Sequence, residues 1–398
     1  MSNARGHLSA SFHWDGRLLV LALVMLGIGL VVMTSASTSI AERYTGEAMY
    51  FFKRQLLFLI FGLMALWVTS RVPLEWWMRS RMALLLIGLG LLALVLIPGV
   101  GHTVNGSTRW LPLGPINLQV SEPARLLVLM YIASYLVIHS EAVRNSFVGF
   151  FRPLLFVVLG CLLLFMQPDF GAATVLLASV LALMFLGGVQ LRYFVLLISI
   201  AAAGLFLLAI GEEYRMNRIL SFMAPWEHQY DHGFQLVQAL IAIGRGELVG
   251  VGLGNSVQKL FYLPEAHTDF VFAVLAEETG LVGASLAIGL FLLLVWQCFA
   301  IGRKASNAGQ VFAAYLAYGI GLWLGGQAFI NIGVNLGVLP TKGLTLPLFS
   351  YGGSSLITTL IAIGLLFRVA HESQLPTRAA VRSQSKQRRA ASKNRRRA

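Results

Sequence analysis

Ten apolar runs constrain this chain more than any other feature. They fall at about 17–36, 52–70, 82–98, 122–138, 153–166, 171–188, 193–211, 280–301, 310–331 and 348–369. A helix needs roughly 20 mostly apolar residues to cross the hydrocarbon core of a bilayer. Inside a bilayer no water pairs with the backbone, so each run must satisfy its own N–H and C=O groups and is read as a helix. The alternating pattern of a membrane barrel is absent. Composition agrees: 57% of residues are hydrophobic and 12% charged, against about a quarter charged in soluble domains. A water-soluble globular enzyme is excluded. The expected fold is an all-α polytopic membrane protein of ten transmembrane helices.

Lys and Arg set the direction, because they gather on the cytoplasmic side of membrane proteins. With the N-terminus inside, the inner loops hold Arg71, Arg79, Arg81, Arg144, Arg192, Arg303 and Lys304, and an even span count makes both termini cytoplasmic. Lys53 and Arg54 run against this rule, as functional or snorkelling residues. Much of the formal charge of +13 is local: from Pro376 to Ala398 there are nine Lys or Arg and no acid. Such a segment builds no core and is predicted to be disordered, drawn to anionic lipid rather than to nucleic acid. The chain is divided into an N-terminal segment 1–16, a membrane domain 17–369 and a basic tail 370–398. Cys161 and Cys298 each lie in an apolar run and form neither a disulfide framework nor a metal set. The start of the chain lacks a cleavable signal pattern.

This topology sends three polar stretches to the outer face: 99–121, the large loop 212–268 between helices 7 and 8, and 332–347. Within the large loop, Phe234, Val237, Leu240 and Ile241 recur at helical spacing and predict an amphipathic interfacial helix. Five glycines from Gly244 to Gly254 follow and are read as a flexible re-entrant turn rather than a phosphate cradle, because no strand precedes them. Asn105-Gly106-Ser107 matches a glycosylation acceptor only weakly. Asp269 is the residue singled out. It stands directly before Phe270-Val271-Phe272-Ala273-Val274-Leu275, where water gives way to hydrocarbon. Partial desolvation there raises a carboxylate's pKa and improves it as a proton acceptor. Thr268 and Asp269 equally suit a helix N-cap, and residue chemistry leaves the two readings even. Glu265 and His267 are neighbouring acid–base alternatives, and Glu277 and Glu278 are read as interface charges or a second polar shell.

The remaining outer stretches supply cations and donors. Arg109 precedes the turn Leu111-Pro112-Leu113-Gly114; Glu122 and Arg125 can pair at i, i+3, more as a buried structural pair than as a site; Gln167-Pro168-Asp169 forms a tight turn; Lys342 leads toward Ser350 and the Gly352-Gly353 pair, which is read as close helix packing. Arg215 and Arg218 share one helical face, and Lys259 lies farther along the loop. Together these suit an anionic, lipid-linked substrate: Arg and Lys hold a pyrophosphate, one carboxylate takes a proton from an acceptor hydroxyl, and apolar helix faces hold a polyprenyl tail.

The strings Ser107-Thr108-Arg109-Trp110-Leu111-Pro112-Leu113-Gly114, Gln119-Val120-Ser121-Glu122-Pro123, Tyr262-Leu263-Pro264-Glu265-Ala266-His267-Thr268-Asp269-Phe270 and Leu348-Phe349-Ser350-Tyr351-Gly352-Gly353-Ser354-Ser355 resemble those of the SEDS family (shape, elongation, division, sporulation). Its members are ten-span bacterial peptidoglycan glycosyltransferases. Residues 340–347 (Pro-Thr-Lys-Gly-Leu-Thr-Leu-Pro) and Glu265-Ala266 look like the division branch rather than the elongation branch. Two positions depart from the family pattern: Val120 stands where Pro is usual and Arg125 where Lys is usual. The resemblance implies polymerisation of lipid II, the undecaprenyl-pyrophosphate-linked disaccharide-pentapeptide, on the periplasmic face of the inner membrane at the septum. It implies Asp269 as the essential aspartate that activates the acceptor 4-hydroxyl, with inversion at the donor carbon. Arg109 and Lys342, each in a family motif, rank first as pyrophosphate contacts, before Arg215, Arg218 and Lys259. A divalent cation, Mg or Mn, is the one cofactor left open, with no clear ligand set. The implied partners are the growing glycan strand, the septal transpeptidase FtsI, and the FtsQ, FtsB and FtsL proteins. Two other roles compete: a lipid II flippase and a non-catalytic scaffold for the transpeptidase. A flippase should carry essential charges near the bilayer midplane and inverted repeats of broken helices. No internal repeat is seen, and the distinctive polar residues cluster at one face.

Overall fold

The computed structural model describes residues 12–104, 106–114, 116–210, 222–231, 233–340 and 343–374. Arg215, Arg218 and Lys342 lie outside the described residues, as do 1–11 and 375–398, which hold most of the two terminal segments.

The helices are α1 Gly16–Thr45, α2 Tyr50–Arg71, α3 Leu74–Arg79, α4 Arg81–Leu94, α5 Ser121–Ile138, α6 Ser140–Asn145, α7 Phe147–Met166, α8 Phe170–Leu186, α9 Leu191–Ile210, α10 Phe234–Gly246, α11 Val271–Asn307, α12 Val311–Asn335 and α13 Gly353–Glu372. Each predicted span falls on one of these. Among the described residues seven helices (α1, α2, α5, α7, α11, α12 and α13) are long and apolar enough to cross a membrane, whereas α4, α8 and the described part of α9 are shorter apolar helices. Local signals set their ends. Asp15 caps α1 by accepting from Leu18 N at 3.0 Å, and Gly46, at φ 71°, closes it with an N–H donated to Glu42 O. Asp169 caps α8 through Ala172 N.

The packing separates a protein-facing interior from a lipid-facing exterior. α5, α12 and α13 are buried over most of their surface. They sit among α2, α4, α8 and α11. The outer helices turn large apolar side chains outward: Val20, Leu23 and Val31 on α1, Leu155, Leu159 and Leu162 on α7, Leu286, Leu293 and Trp296 on α11. In water such a surface would be unstable; in lipid it costs nothing.

Residues 99–121 correct the all-α expectation. They form an antiparallel meander, β1 His102–Val104, β2 Ser107–Leu113 and β3 Ile116–Gln119, in the order β1-β2-β3. Trp110 is opposite Gln119, and Thr103 opposite Thr108. Gly106 and Gly114, both at φ 74°, make the two reversals. Asn-Gly between β-formers is a strong hairpin signal in the sequence.

Two further expectations change in the large loop. The amphipathic helix exists as α10, but its buried face is Leu236, Val237, Ala239, Ala242 and Gly246, with Ile241 exposed. The small residues decide this, because Gly246 lies directly against the Ala276 carbonyl of α11. The glycine run is no loose turn. At Gly280, with φ 66° and ψ −164°, the helix α11 is broken. Its freed carbonyls accept from the run, Val251 N to Glu277 O and Gly252 N to Glu278 O, both at 3.0 Å. Its freed N–H groups donate back, Leu281 N to Glu247 O at 2.9 Å and Val282 N to Leu248 O at 3.1 Å. A broken helix survives in an apolar setting only when its backbone groups are paired again. Gly250, at φ 83° and pressed on the Glu278 carbonyl, permits that approach.

Candidate active site

Asp269 lies two residues before α11, at the end of the bundle where the three polar stretches meet. Its carboxylate does not cap the helix. Phe270 occupies the N-cap position and makes no side-chain cap; instead Asn335 Oδ1 accepts from Ala273 N at 3.1 Å. The turn before it explains the difference. Glu265, at φ 55°, accepts at its carbonyl from both Thr268 N and Phe270 N, and its carboxylate accepts from Thr268 Oγ1 at 2.6 Å. Among the described residues no donor reaches the Asp269 carboxylate, which is half-buried. Burial first, and then the negative charges of Glu265 and Asp169, push its pKa up to about 7, against the opposing pull of Arg109. A carboxyl with this value is a competent base near neutral pH.

The segment 343–351 closes over the acid. A side chain at Gly343 would stand 3.1 Å from Asp269 Oδ2. Ser350 Oγ donates to Thr268 O at 2.5 Å and accepts from Leu346 N at 2.8 Å. Its hydroxyl thus fastens two backbones together at the site. Tyr351 N donates to His267 O at 2.8 Å. The His267 ring packs in a triangle with Phe51, at 4.7 Å, and Tyr351, at 5.7 Å, which are themselves 4.9 Å apart. Burial lowers its pKa, opposed by Glu265. Its Nδ1 is buried without a protein partner. Gly353 lies against the Phe58 ring, where a Cβ would come within 2.7 Å. Gly352 N reaches Gln55 Oε1 at 3.5 Å. This glycine pair packs α13 on α2, as the sequence suggests.

Arg109 reaches across from β2. Its guanidinium donates to Gln167 O at 3.4 Å and to Pro168 O, and faces Asp169 at 3.7 Å. It is therefore the one described cation among the candidates that joins the Asp269 environment. Lys259 does not. Its ammonium donates to Ser35 Oγ, Gly254 O and Glu278 Oε1, each at 2.8 Å. All three of its protons are engaged, and it ties the glycine run to α1 and to the break in α11. Glu277, also buried, accepts from Arg245, Ser256 Oγ, Val257 N and Gln258 N. Glu277 and Glu278 are fasteners of the loop, with no share in the site. Lys53 pairs with Glu47, and Arg54 donates to Tyr50 OH at 3.0 Å.

Behind the acid lies a buried polar layer. Glu122 and Arg125 pair at 3.6 Å. Arg125 Nη1 donates to Gln327 Oε1 at 2.6 Å and its guanidinium stacks over Trp323 at 5.6 Å. Gln167 donates to Leu92 O at 2.8 Å. Ser121 Oγ, Glu122 Oε2, Arg125 Nη2, Gln167 Oε1 and Asp169 Oδ2 make no hydrogen bond among the described residues. The residues around Asp269 that residue chemistry alone did not single out are Gln327, Asn331, Asn335 and Thr345. The signal for the first three was three amides at four-residue spacing in an apolar helix.

Among the described residues no three His, Cys, Asp or Glu side chains come together as a metal-ligand set. The acids nearest Asp269 are already engaged, Glu265 by Thr268 and Asp169 by Arg109.

The sequence profile of the FtsW/RodA/SpoVE family, described as "Cell cycle protein", matches residues 16–375. A "Probable peptidoglycan glycosyltransferase FtsW" of Thioalkalivibrio sulfidiphilus is 57% identical over 351 residues, 88% of each chain. A protein of the same description from Coxiella burnetii is 52% identical over 364 residues, 92% of this chain and 98% of that one. Among solved structures, a chain described under "Structural coordination of polymerization and crosslinking by a peptidoglycan synthase complex" superposes with a TM-score of 0.75 at 30% identity, covering 92% of this chain and 99% of that one. The rod shape determining protein RodA of Thermus thermophilus gives 0.67 at 30% identity, over 91% and 98%. Helix order, site motifs and relatives agree, and the chain belongs to the FtsW/RodA/SpoVE family of cell cycle proteins.

Proposed function

We propose that this protein is a peptidoglycan glycosyltransferase that polymerises lipid II at the outer face of the cytoplasmic membrane, in a ten-span topology with both termini cytoplasmic. The observation that carries the reading is Asp269 itself: a half-buried carboxyl, free of the helix end, beside Arg109, with its pKa pushed up to about 7. Its relatives' names support the reaction class.

In this reading the Asp269 carboxylate takes the proton of the acceptor 4-hydroxyl. The acceptor oxygen bonds to the donor's anomeric carbon, and the bond from that carbon to the phosphate oxygen breaks. The electron pair leaves with undecaprenyl pyrophosphate. One base and one displacement turn an α-linked donor into a β-linked product, as in inverting glycoside chemistry. Arg109, with Lys342, Arg215 and Arg218, meets the charge that collects on the leaving pyrophosphate. Glu265 and His267 shape the acid's surroundings, and Lys259 belongs to the scaffold. The leaving group carries the driving energy, so no nucleotide is required. No step in this reading runs through a metal ion.

The structural relative of a peptidoglycan synthase complex supports pairing with a transpeptidase. We place this protein with the septal transpeptidase FtsI and the FtsQ, FtsB and FtsL proteins at the division site. The test is lipid II polymerisation by the purified protein with its transpeptidase, the products being sized on a gel. Polymer from the native protein and none from Asp269→Asn, at equal folding and partner binding, is expected. Equal polymer from both removes Asp269 as the base. No polymer under any condition moves the reading to a flippase or a scaffold.

A further inference from the structure

The carbonyl of Asp269 is not used by the helix that follows it. Ala273 N donates to Phe270 O and to Asn335 Oδ1, so the Asp269 oxygen is left for other partners. Two side chains of α12 take it: Asn331 Nδ2 at 2.8 Å and Asn335 Nδ2 at 3.1 Å. Asn331 Nδ2 also donates to Leu344 O at 2.5 Å. One turn earlier, Gln327 Nε2 donates to Thr345 O at 2.9 Å, while its oxygen accepts from Arg125 and Trp323. Residues 327, 331 and 335 are spaced by four and share one face of the helix. Their amides form a ladder, and its rungs hold the backbone of Asp269 on one side and the backbone of 344–345 on the other.

We infer that Asn331 is a positioning residue for the glycosyl transfer: its single amide nitrogen ties the Asp269 backbone to the Leu344 backbone, so the base and the segment that carries Gly343 over it hold one fixed geometry. The inference rests on the reading of Asp269 as base. The chemistry of the side chain fits the task. An amide offers two N–H donors and one acceptor without charge, so it bridges two carbonyls without the cost of burying an ion. Asn is a poor helix former, and all three amides are buried inside an apolar helix. Helix stability or lipid contact would select apolar residues at these positions. The carbonyls they meet belong to the two segments that enclose the acid.

The titratable groups around Asp269 are Glu265 and His267 on its own loop, Arg109 from β2 and Asp169 from the turn before α8; the described residues 343–350 carry none. The amide ladder does not ionise, so any change it makes to the pH profile reports a moved carboxylate.

The test uses the full-length protein with its transpeptidase and lipid II as the probe. Asn331→Leu keeps about the size, removes both donor protons and adds no ionisable group; Asn331→Ala removes the side chain. Both are expected to lower kcat about 100-fold, the scale of a misplaced reacting group. KM should change less than about threefold, since no group that touches substrate is lost. The acid limb of the pH–rate profile should move to lower pH as the carboxylate gains water. Asn335→Ala, which leaves the Asn331 bridge in place, should cost only about tenfold by the same reasoning. Native kcat in both Asn331 variants, with Asp269→Asn inactive, overturns the inference and leaves the base reading standing. An active Asp269→Asn overturns the base reading instead, and this inference with it. Loss of kcat together with KM and thermal stability, at an unchanged acid limb, assigns Asn331 to the fold alone and also overturns it. If the alanine variant does not fold, the leucine variant carries the test; failure of both to fold assigns the residue to folding.

Discussion

Replacing Asp269 by Asn should stabilise the protein while abolishing its proposed chemistry, and the stabilisation should depend on pH. The carboxyl's ordinary value is 3.8 and its value in the folded protein is about 7, raised mainly by burial. The folded chain therefore holds this proton more tightly than the unfolded chain does. The stability it contributes is complete below about pH 4, declines as the pH rises toward 7, and is gone above that. Each pH unit between the two values is worth about 1.4 kcal/mol, so the full effect approaches about 4 kcal/mol, a ceiling reduced by the acid's partial exposure. The asparagine variant has no proton to lose. Its melting temperature in nanodiscs should exceed that of the native protein by a few degrees at pH 8 and by clearly less at pH 5. A gap of equal size at both values, or a larger one at pH 5, refutes the argument that burial holds Asp269 in its protonated form.

Three other outcomes follow from the same geometry. Gly343→Val, whose Cβ would press on Asp269 Oδ2, should lose most polymerising activity with an unchanged melting temperature; native activity would refute the close approach of residue 343 to the acid. Arg125→Ala leaves Glu122 buried without its cation and should cost about 3–5 kcal/mol, read as a lower midpoint in thermal denaturation, with Glu122→Gln in the same chain restoring part of it. Gly250→Ala meets both a positive φ and the Glu278 carbonyl; it should loosen the loop against α11, read as faster proteolysis between 247 and 263, whereas Gly254→Ala, also at positive φ but in open space, should loosen it less.

The order of the helices was legible in the chain because membrane insertion imposes one simple rule, roughly 20 apolar residues per crossing, and each predicted run fell on a helix. Asp269 was legible too, because an acid abutting six apolar residues has few ordinary explanations. Whether it capped a helix or stood free was not. That depended on the positive φ of Glu265 and on Asn335, 66 residues away, taking over the cap. The sheet of residues 102–119 hid behind a short Asn-Gly signal. Lys259 read as a cation for substrate until Glu278 and Ser35 claimed it.

Periodicity and apolar length, summed over many residues, by themselves determined that this chain is a bundle of membrane helices joined by a few polar, motif-bearing stretches. Which charges pair with each other and which remain for a substrate was decided only by tertiary structure. Such pairings join residues far apart in the chain, as Arg109 with Asp169 and Arg245 with Glu277, and a buried polar group takes whichever partner the packing brings within reach.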